Sequence, residues 1–226
     1  MSILIPSLKW VIILSSLVYP LFFVEIFNRV IFHIKKKNMI NFIDNPNIWI
    51  WGVIFAYGLP LSIIYLDSPH LFYIKLPSSF FYIVSIICIP AVMLVEFIVG
   101  YCTLYVKRRT LIRPSLSIHS SWRRISFSAL ILSIFSVFSE EMIFRQIWLY
   151  ILTNYFDIPW IAAIIVSSLI YGLNHITFGL QAIPQKFAAG LIYGSLYYLS
   201  GSSIFVTTIT HYFQNVILGL VGRWRT

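Results

Sequence analysis

Two adjacent glutamates, Glu140 and Glu141, lie in an otherwise apolar stretch of the chain, and Arg145 follows one helical turn later. Residues 125–138, which precede them, carry no charge, and a further apolar run begins at Ile147. Placing one ionised side chain at the centre of a bilayer costs about 3 kcal/mol or more. Charged groups retained against such a cost usually have a function. This segment is therefore the first candidate for chemistry.

The spacing of the three charges predicts different tasks for the two carboxylates. Residues four apart lie on one face of a helix, so Glu141 can form an ion pair with Arg145. Glu140 is rotated by about 100° from that face and has no oppositely charged partner on its own helix. We predict that Glu141 and Arg145 have a supporting role and that Glu140 takes part in the chemistry.

Two later apolar segments carry polar residues at the same spacing. Tyr171 precedes His175 by four positions, and His211 precedes Asn215 by four. If Glu140 meets both histidines, one carboxylate and two imidazoles match the ligand set of catalytic zinc sites in peptidases. Asn215 could then donate a hydrogen bond to the oxyanion of a tetrahedral intermediate. A metal-free site is also workable, with Glu140 as the general base on a water molecule that the histidines and Asn215 orient.

The elements that must position these residues are membrane helices. Of the 226 residues, 59% are hydrophobic and 10% are charged, whereas soluble domains carry about 25% charged residues. A helix needs about 20 apolar residues to cross a bilayer. We predict an all-α fold, a polytopic transmembrane helix bundle of about seven spans with the active site within the last four. The predicted spans are residues 10–32, 48–66, 80–106, 125–156, 158–178, 183–200 and 202–222.

The chain is predicted to form one transmembrane domain, 1–226, with N-terminal spans in 1–106 and catalytic core spans in 125–222. Its basic residues predict the orientation. Of the 16 Lys and Arg residues, twelve follow odd-numbered predicted spans, whereas only Lys9 and Lys75 lie on the opposite side. Because cytoplasmic loops are enriched in Lys and Arg, the N-terminus is expected outside and the C-terminus in the cytoplasm. The net charge of +9 is thus assigned to membrane orientation, with the lipid bilayer and not nucleic acid as the partner.

The three motifs together resemble those of the CPBP intramembrane proteases, the group of the CAAX-processing endopeptidases and the bacterial Abi proteins. Their sequences here are Glu140-Glu141-Met142-Ile143-Phe144-Arg145, Tyr171-Gly172-Leu173-Asn174-His175 and His211-Tyr212-Phe213-Gln214-Asn215. The resemblance covers about residues 125–220, and Tyr171 stands where the family usually has Phe. The first three spans show nothing specific to the family.

The resemblance implies an intramembrane endopeptidase, a hydrolase of the metalloprotease or glutamate-dependent type, in a bacterial inner or plasma membrane. Its substrate would be a membrane-associated or lipidated protein or peptide. Three residues would bind a divalent metal, with zinc expected: Glu140, His175 and His211. These three and Asn215 would be catalytic. Glu141, Arg145 and Tyr171 would support them.

Two functions from other classes use the same polar residues. A non-catalytic immunity protein would bind a bacteriocin-like peptide with this intramembrane cluster. A small transporter would use Glu, His and Arg as a proton relay. The absence of an inverted repeat in the sequence, and of paired Gly/Pro-broken spans, argues against transport.

Two further expectations concern the depth of the site and a second buried carboxylate. At 1.5 Å per residue, Glu140 and His175 fall at different depths in the predicted spans, so the site requires an offset between their helices. Glu96 has no visible partner, and we expect a protonated carboxyl group that is hydrogen-bonded to a neighbouring helix.

Overall fold

The computed structural model describes residues 4–18, 20, 46–109 and 125–224. Every regular element in these ranges is helical, which confirms the all-α fold. Short 3₁₀ turns occupy Pro69–Phe72 and Ile176–Phe178. The helices are α1 (Leu4–Ser16), α2 (Pro46–Asp67), α3 (Ser79–Arg108), α4 (Phe127–Asn154), α5 (Trp160–Leu173), α6 (Ala182–Leu199) and α7 (Ile204–Trp224).

Four of the described helices are long and apolar enough to cross a membrane: Ile50–Asp67, Ser79–Arg108, Phe127–Asn154 and Ile204–Gly222. Large apolar side chains such as Phe55, Ile83 and Leu66 point outward from the bundle. Surfaces of this kind suit the hydrocarbon core of a bilayer, where backbone groups must be satisfied within each helix. The chain is an integral membrane protein. The predicted span 10–32 and the basic loops around 35–37 and 110–124 extend outside the described residues.

Helix α4 carries the two glutamates and changes its winding next to them. Its α-helical turns run over Phe127–Glu141 and Trp148–Asn154, and a π-helical segment, Met142–Ile147, joins them. All six residues of that segment are buried, so the wide turn lies in the core of the bundle. Such π segments are frequently found at functional sites.

Helix α5 is shorter than the predicted span 158–178. It ends at Leu173, the chain makes a 3₁₀ turn, and Gly179 adopts a φ of +99° that favours glycine. Its 14 residues rise about 21 Å, less than the hydrocarbon core of about 30 Å. The uninterrupted span predicted here is therefore wrong, because α5 stops short and the chain turns back towards α6.

Close packing fixes the returning helix α6 against α5. A Cβ atom added to Gly190 would lie 2.9 Å from Ser168 Cβ, and one added to Gly194 would lie 2.8 Å from Ile164 Cγ2. Small residues at this four-residue spacing let membrane helices approach closely. A Cβ atom added to Gly172 would likewise lie 2.8 Å from Ile183 O, so α6 also packs against the last turn of α5, three residues before His175.

Candidate active site

The structure brings three of the predicted site residues together from three parts of the chain. His175 Nε2 lies 3.6 Å from Glu140 Oε1, and His211 Nε2 lies 3.9 Å from Glu140 Oε2. All three residues are buried. The offset in depth that the site requires therefore exists. The 28 residues of α4 extend over about 42 Å, more than a hydrocarbon core of about 30 Å, so α4 is long enough to accommodate such an offset.

Each histidine uses its other ring nitrogen for a hydrogen bond. His175 Nδ1 lies 2.8 Å from the Tyr171 carbonyl oxygen, and His211 Nδ1 lies 2.9 Å from Glu141 Oε1. A carbonyl oxygen only accepts, so His175 Nδ1 must carry the proton. Glu141, ionised beside Arg145, likewise accepts from His211 Nδ1. Both Nε2 atoms are left with lone pairs that face Glu140, the arrangement that outer partners impose on functional histidines.

Glu141 and Arg145 form the expected ion pair, with Arg145 Nε 3.3 Å from Glu141 Oε2 and both side chains fully buried. The guanidinium carbon of Arg145 lies 4.8 Å from the ring centre of Tyr171 and 5.7 Å from that of Tyr193. These aromatic faces stabilise the cation where no water surrounds it. Glu141 therefore has two contacts: it pairs with Arg145 on its own helix, and it orients His211 through a hydrogen bond.

Tyr171 contacts both histidines through its ring. The ring centres lie 4.7 Å from His175 and 6.2 Å from His211, each in an edge-to-face arrangement. Its hydroxyl group is buried and has no hydrogen-bond partner within the described part of the chain. Tyr171 thus orients His175 through its backbone carbonyl and its ring, and the hydroxyl plays no part in that contact.

Asn215 lies one turn after His211 on α7 and is half-buried. In the ranges that the structure describes, no hydrogen bond joins Asn215 to the other site residues. Its neighbour Gln214 is fully buried and accepts a hydrogen bond from Tyr193. The proximity of Asn215 to the site therefore rests on its spacing from His211, and its role stays a prediction.

Three aromatic or amide residues that the sequence did not single out complete the site. Tyr57 on α2 donates a hydrogen bond to Glu140 Oε1 at 3.1 Å, and Asn174 Nδ2 donates to the Tyr57 hydroxyl at 2.8 Å. The Tyr193 ring stacks on His211, with 5.1 Å between centres. Asn174 could have been identified from the sequence, since it is an amide next to a histidine in an apolar segment. Tyrosines are too common among these spans for sequence to distinguish the other two.

A second polar cluster corrects the expectation for Glu96. Lys186 Nζ on α6 lies 2.8 Å from Glu96 Oε1, and Gln214 Nε2 donates to Glu96 Oε2 at 2.7 Å. Glu96 is therefore paired with a cation, and the predicted protonated carboxyl without a charged partner is wrong. Lys186 lies on α6, inside the predicted span 183–200, and reaches across to α3.

Glu140, His175 and His211 are of the residue types that bind metal ions. One carboxylate and two imidazoles with free Nε2 lone pairs are ligand types that zinc prefers. Among residues 46–109 and 125–224, however, no group of three or more His, Cys, Asp or Glu side chains is placed as a metal site requires. The chemistry of the donors fits zinc, whereas their spacing does not.

The long apolar helices define an integral membrane protein, and its core holds a buried carboxylate faced by two histidines. Residues 122–217 match the family model described as type II CAAX prenyl endopeptidase Rce1-like. The match confirms the resemblance to the CAAX proteases for the part of the chain that contains every predicted site residue. The chain matches neither a curated protein nor a solved structure.

Proposed function

We propose that this protein is an intramembrane endopeptidase in which Glu140 activates a water molecule. The observation that carries the proposal is the convergence of His175 Nε2 and His211 Nε2 on the two oxygens of Glu140, at 3.6 and 3.9 Å. These separations exceed a direct hydrogen bond and suit groups that share a bridging water. The match of residues 122–217 to a prenyl endopeptidase family supports peptide-bond cleavage as the reaction.

The proposed reaction uses the chain's own residues. Glu140 accepts a proton from water as the water oxygen attacks the carbonyl carbon of the peptide bond, and a histidine Nε2 accepts the second hydrogen bond of that water. The intermediate collapses as the C–N bond breaks, and Glu140 returns the proton to the leaving amine. Asn215 would donate a hydrogen bond to the oxyanion, the role that its position one turn from His211 suggests.

The substrate would approach from the side of Glu140 and His175. Their side chains are 9% and 10% exposed, compared with 3% for His211. Since the site lies among membrane helices, the cleaved bond would belong to a membrane-associated or lipidated protein or peptide. We further propose a bacterial inner or plasma membrane, with the N-terminus outside and the C-terminus cytoplasmic. A fluorescent protein fused to the C-terminus should then fluoresce, whereas a periplasmic reporter there should stay inactive.

We also propose that Glu140, His175 and His211 bind a divalent metal, with zinc expected, by closing in from the wider spacing of the metal-free site; the metal would supply a Lewis acid to the reaction. The donor types support this proposal, and no step above depends on it. Metal analysis of the purified protein should find about one zinc per chain, and His175→Ala should lower that content. His70→Ala, a histidine that hydrogen-bonds Tyr155 away from the site, is the matched control. Full cleavage by a metal-free preparation would contradict metal binding as a requirement.

Mass spectrometry of membrane-protein termini tests the proposed activity directly. Cells that produce the wild type should contain new termini that are absent with Glu140→Gln, because the amide cannot accept a proton from water. Glu96→Gln is the matched control, since it alters another glutamate of an apolar helix, one that is partly buried and already paired with Lys186. Identical termini in all three strains, with each protein stably inserted, would sink the protease proposal. No comparison supports the alternative of a bacteriocin-binding immunity protein.

A further inference from the structure

We propose that Tyr57 is a positioning residue for Glu140, so that the N-terminal helices contribute directly to the active site. The inference rests on the proposed function and extends it to a part of the chain outside the matched residues 122–217. Tyr57 lies on α2, is fully buried, and its hydroxyl is 3.1 Å from Glu140 Oε1.

The direction of this hydrogen bond follows from the next residue in the chain of contacts. Asn174 Nδ2 lies 2.8 Å from the Tyr57 hydroxyl oxygen. An amide nitrogen only donates, so the tyrosine oxygen must accept there and its own hydrogen is directed to Glu140. A fixed donor of this kind holds one carboxylate oxygen in a defined position.

This contact distinguishes the two oxygens of Glu140. Oε1 accepts the Tyr57 hydrogen bond, whereas no hydrogen bond to Oε2 is found within the described residues, where His211 Nε2 lies 3.9 Å from it. Oε2 is therefore the oxygen that remains to take a proton from water. Without Tyr57, the carboxylate would be free to rotate, and neither oxygen would be reserved for that transfer.

Asn174 links this contact to a histidine of the site. It is fully buried, directly precedes His175, and closes the end of α5 through its backbone N–H to Ile170 O at 2.9 Å. Tyr57 and Asn174 thus join α2, α4 and the end of α5 around one carboxylate. A tyrosine that only fills space would not need this pair of directed bonds.

The test compares Tyr57→Phe with Tyr65→Phe in liposomes, on a substrate peptide cleaved by the wild type. Tyr65 lies on the same helix but is exposed and packs on Phe72. Loss of a partner that orients a functional group typically lowers activity about 10- to 100-fold. We expect Tyr57→Phe to lower kcat by about that factor with KM within about twofold of the wild type, and Tyr65→Phe to change neither.

Asn174→Ala provides a second variant in case the first folds poorly. It should lower kcat less than Tyr57→Phe, and the double variant should be no worse than Tyr57→Phe alone, because both residues act through one hydroxyl. A kcat for Tyr57→Phe within about twofold of the wild type, or strictly additive losses, would overturn the inference.

An infrared difference spectrum separates this inference from the proposed function. The carboxylate band that disappears in Glu140→Gln should shift in Tyr57→Phe and stay in place in Tyr65→Phe. An unshifted band would reject the Tyr57 contact even in an active enzyme. If the band shifts in Tyr57→Phe but the wild type cleaves nothing, the Tyr57 contact is retained. The protease proposal is then rejected, and the positioning role with it.

Discussion

Glu96, which is partly buried, and Glu140, which is buried, are both carboxylates on long apolar helices, but their surroundings differ. Both oxygens of Glu96 are held at short range, by Lys186 Nζ at 2.8 Å and by Gln214 Nε2 at 2.7 Å. Glu140 has one hydroxyl donor, Tyr57, at 3.1 Å, and two imidazoles that lie beyond direct hydrogen-bonding distance. Both oxygens of Glu96 therefore accept hydrogen bonds from the protein, whereas within the described residues Glu140 accepts a hydrogen bond at Oε1 and none at Oε2.

This difference indicates that Glu96 has a structural role. A cation in direct contact lowers the cost of burying a carboxylate and occupies its oxygens. Glu141 resembles Glu96 in this respect, since Arg145 and His211 both contact it. Among these three glutamates, Glu140 is the one that faces two imidazoles beyond direct hydrogen-bonding distance. This difference supports the proposal that Glu140 carries the chemistry.

The largest effect on stability is expected where the pairing is most deeply buried. Removing one member of a buried ion pair costs about 3–5 kcal/mol, so Glu141→Gln should lower the free energy of unfolding by about that amount. The double variant Glu141→Gln/Arg145→Gln should recover part of the stability and none of the activity, since His211 still lacks its carboxylate partner. Unfolding in detergent titrations measures the first effect. A single variant as stable as the wild type would contradict the role of this pair.

Adjacent residues on α7 allow the two clusters to be separated. Asn215→Ala should lower kcat about 100-fold, the loss typical of an oxyanion donor, and leave stability nearly unchanged. Gln214→Ala should lower stability and leave kcat nearly unchanged, because Gln214 hydrogen-bonds both Glu96 and Tyr193. Rate assays and unfolding curves on the same two preparations give both readouts. Equal rate losses in the two variants would show that the clusters are not separate.

A smaller effect is expected at the second cluster. Glu96→Gln leaves the Lys186 ammonium group partly buried without its counter-charge, which should cost about 1–3 kcal/mol of stability. The double variant Glu96→Gln/Lys186→Met should be close to the wild type in stability, because neither charge remains. Thermal unfolding measures both. Cleavage should stay within about threefold of the wild type in each, and a loss of cleavage would assign Glu96 to the chemistry.

The sequence predicted the charged parts of the site because helical spacing and burial cost restrict where charges occur. Glu141 and Arg145 pair at a separation of four residues, and Glu140 lies off that face, as the helix geometry requires. The all-α bundle follows from the apolar composition. The end of α5 at Leu173 coincides with the polar pair Asn174-His175, which interrupts the apolar run. The predicted span 158–178 passed over this pair, because mean hydropathy over a whole segment does not mark where a helix ends inside it.

Contacts between distant helices were beyond the reach of sequence spacing. Tyr57 meets Glu140 across 83 positions, and Lys186 meets Glu96 across 90. Neither pair leaves a pattern in the local sequence, because its two members lie on different helices. Asn174 is the exception, since it adjoins a histidine that the motif had already selected.

A comparison of initial cleavage rates tests whether Glu140, and not Glu96, carries the chemistry. Wild type, Glu140→Gln and Glu96→Gln would be reconstituted at equal amounts of folded protein, and initial cleavage rates of one identified substrate measured. General-base catalysis contributes about 10²- to 10⁴-fold, so Glu140→Gln should lose at least about 100-fold and Glu96→Gln no more than about threefold. Undiminished cleavage by Glu140→Gln, or equal losses in both variants, would contradict the account.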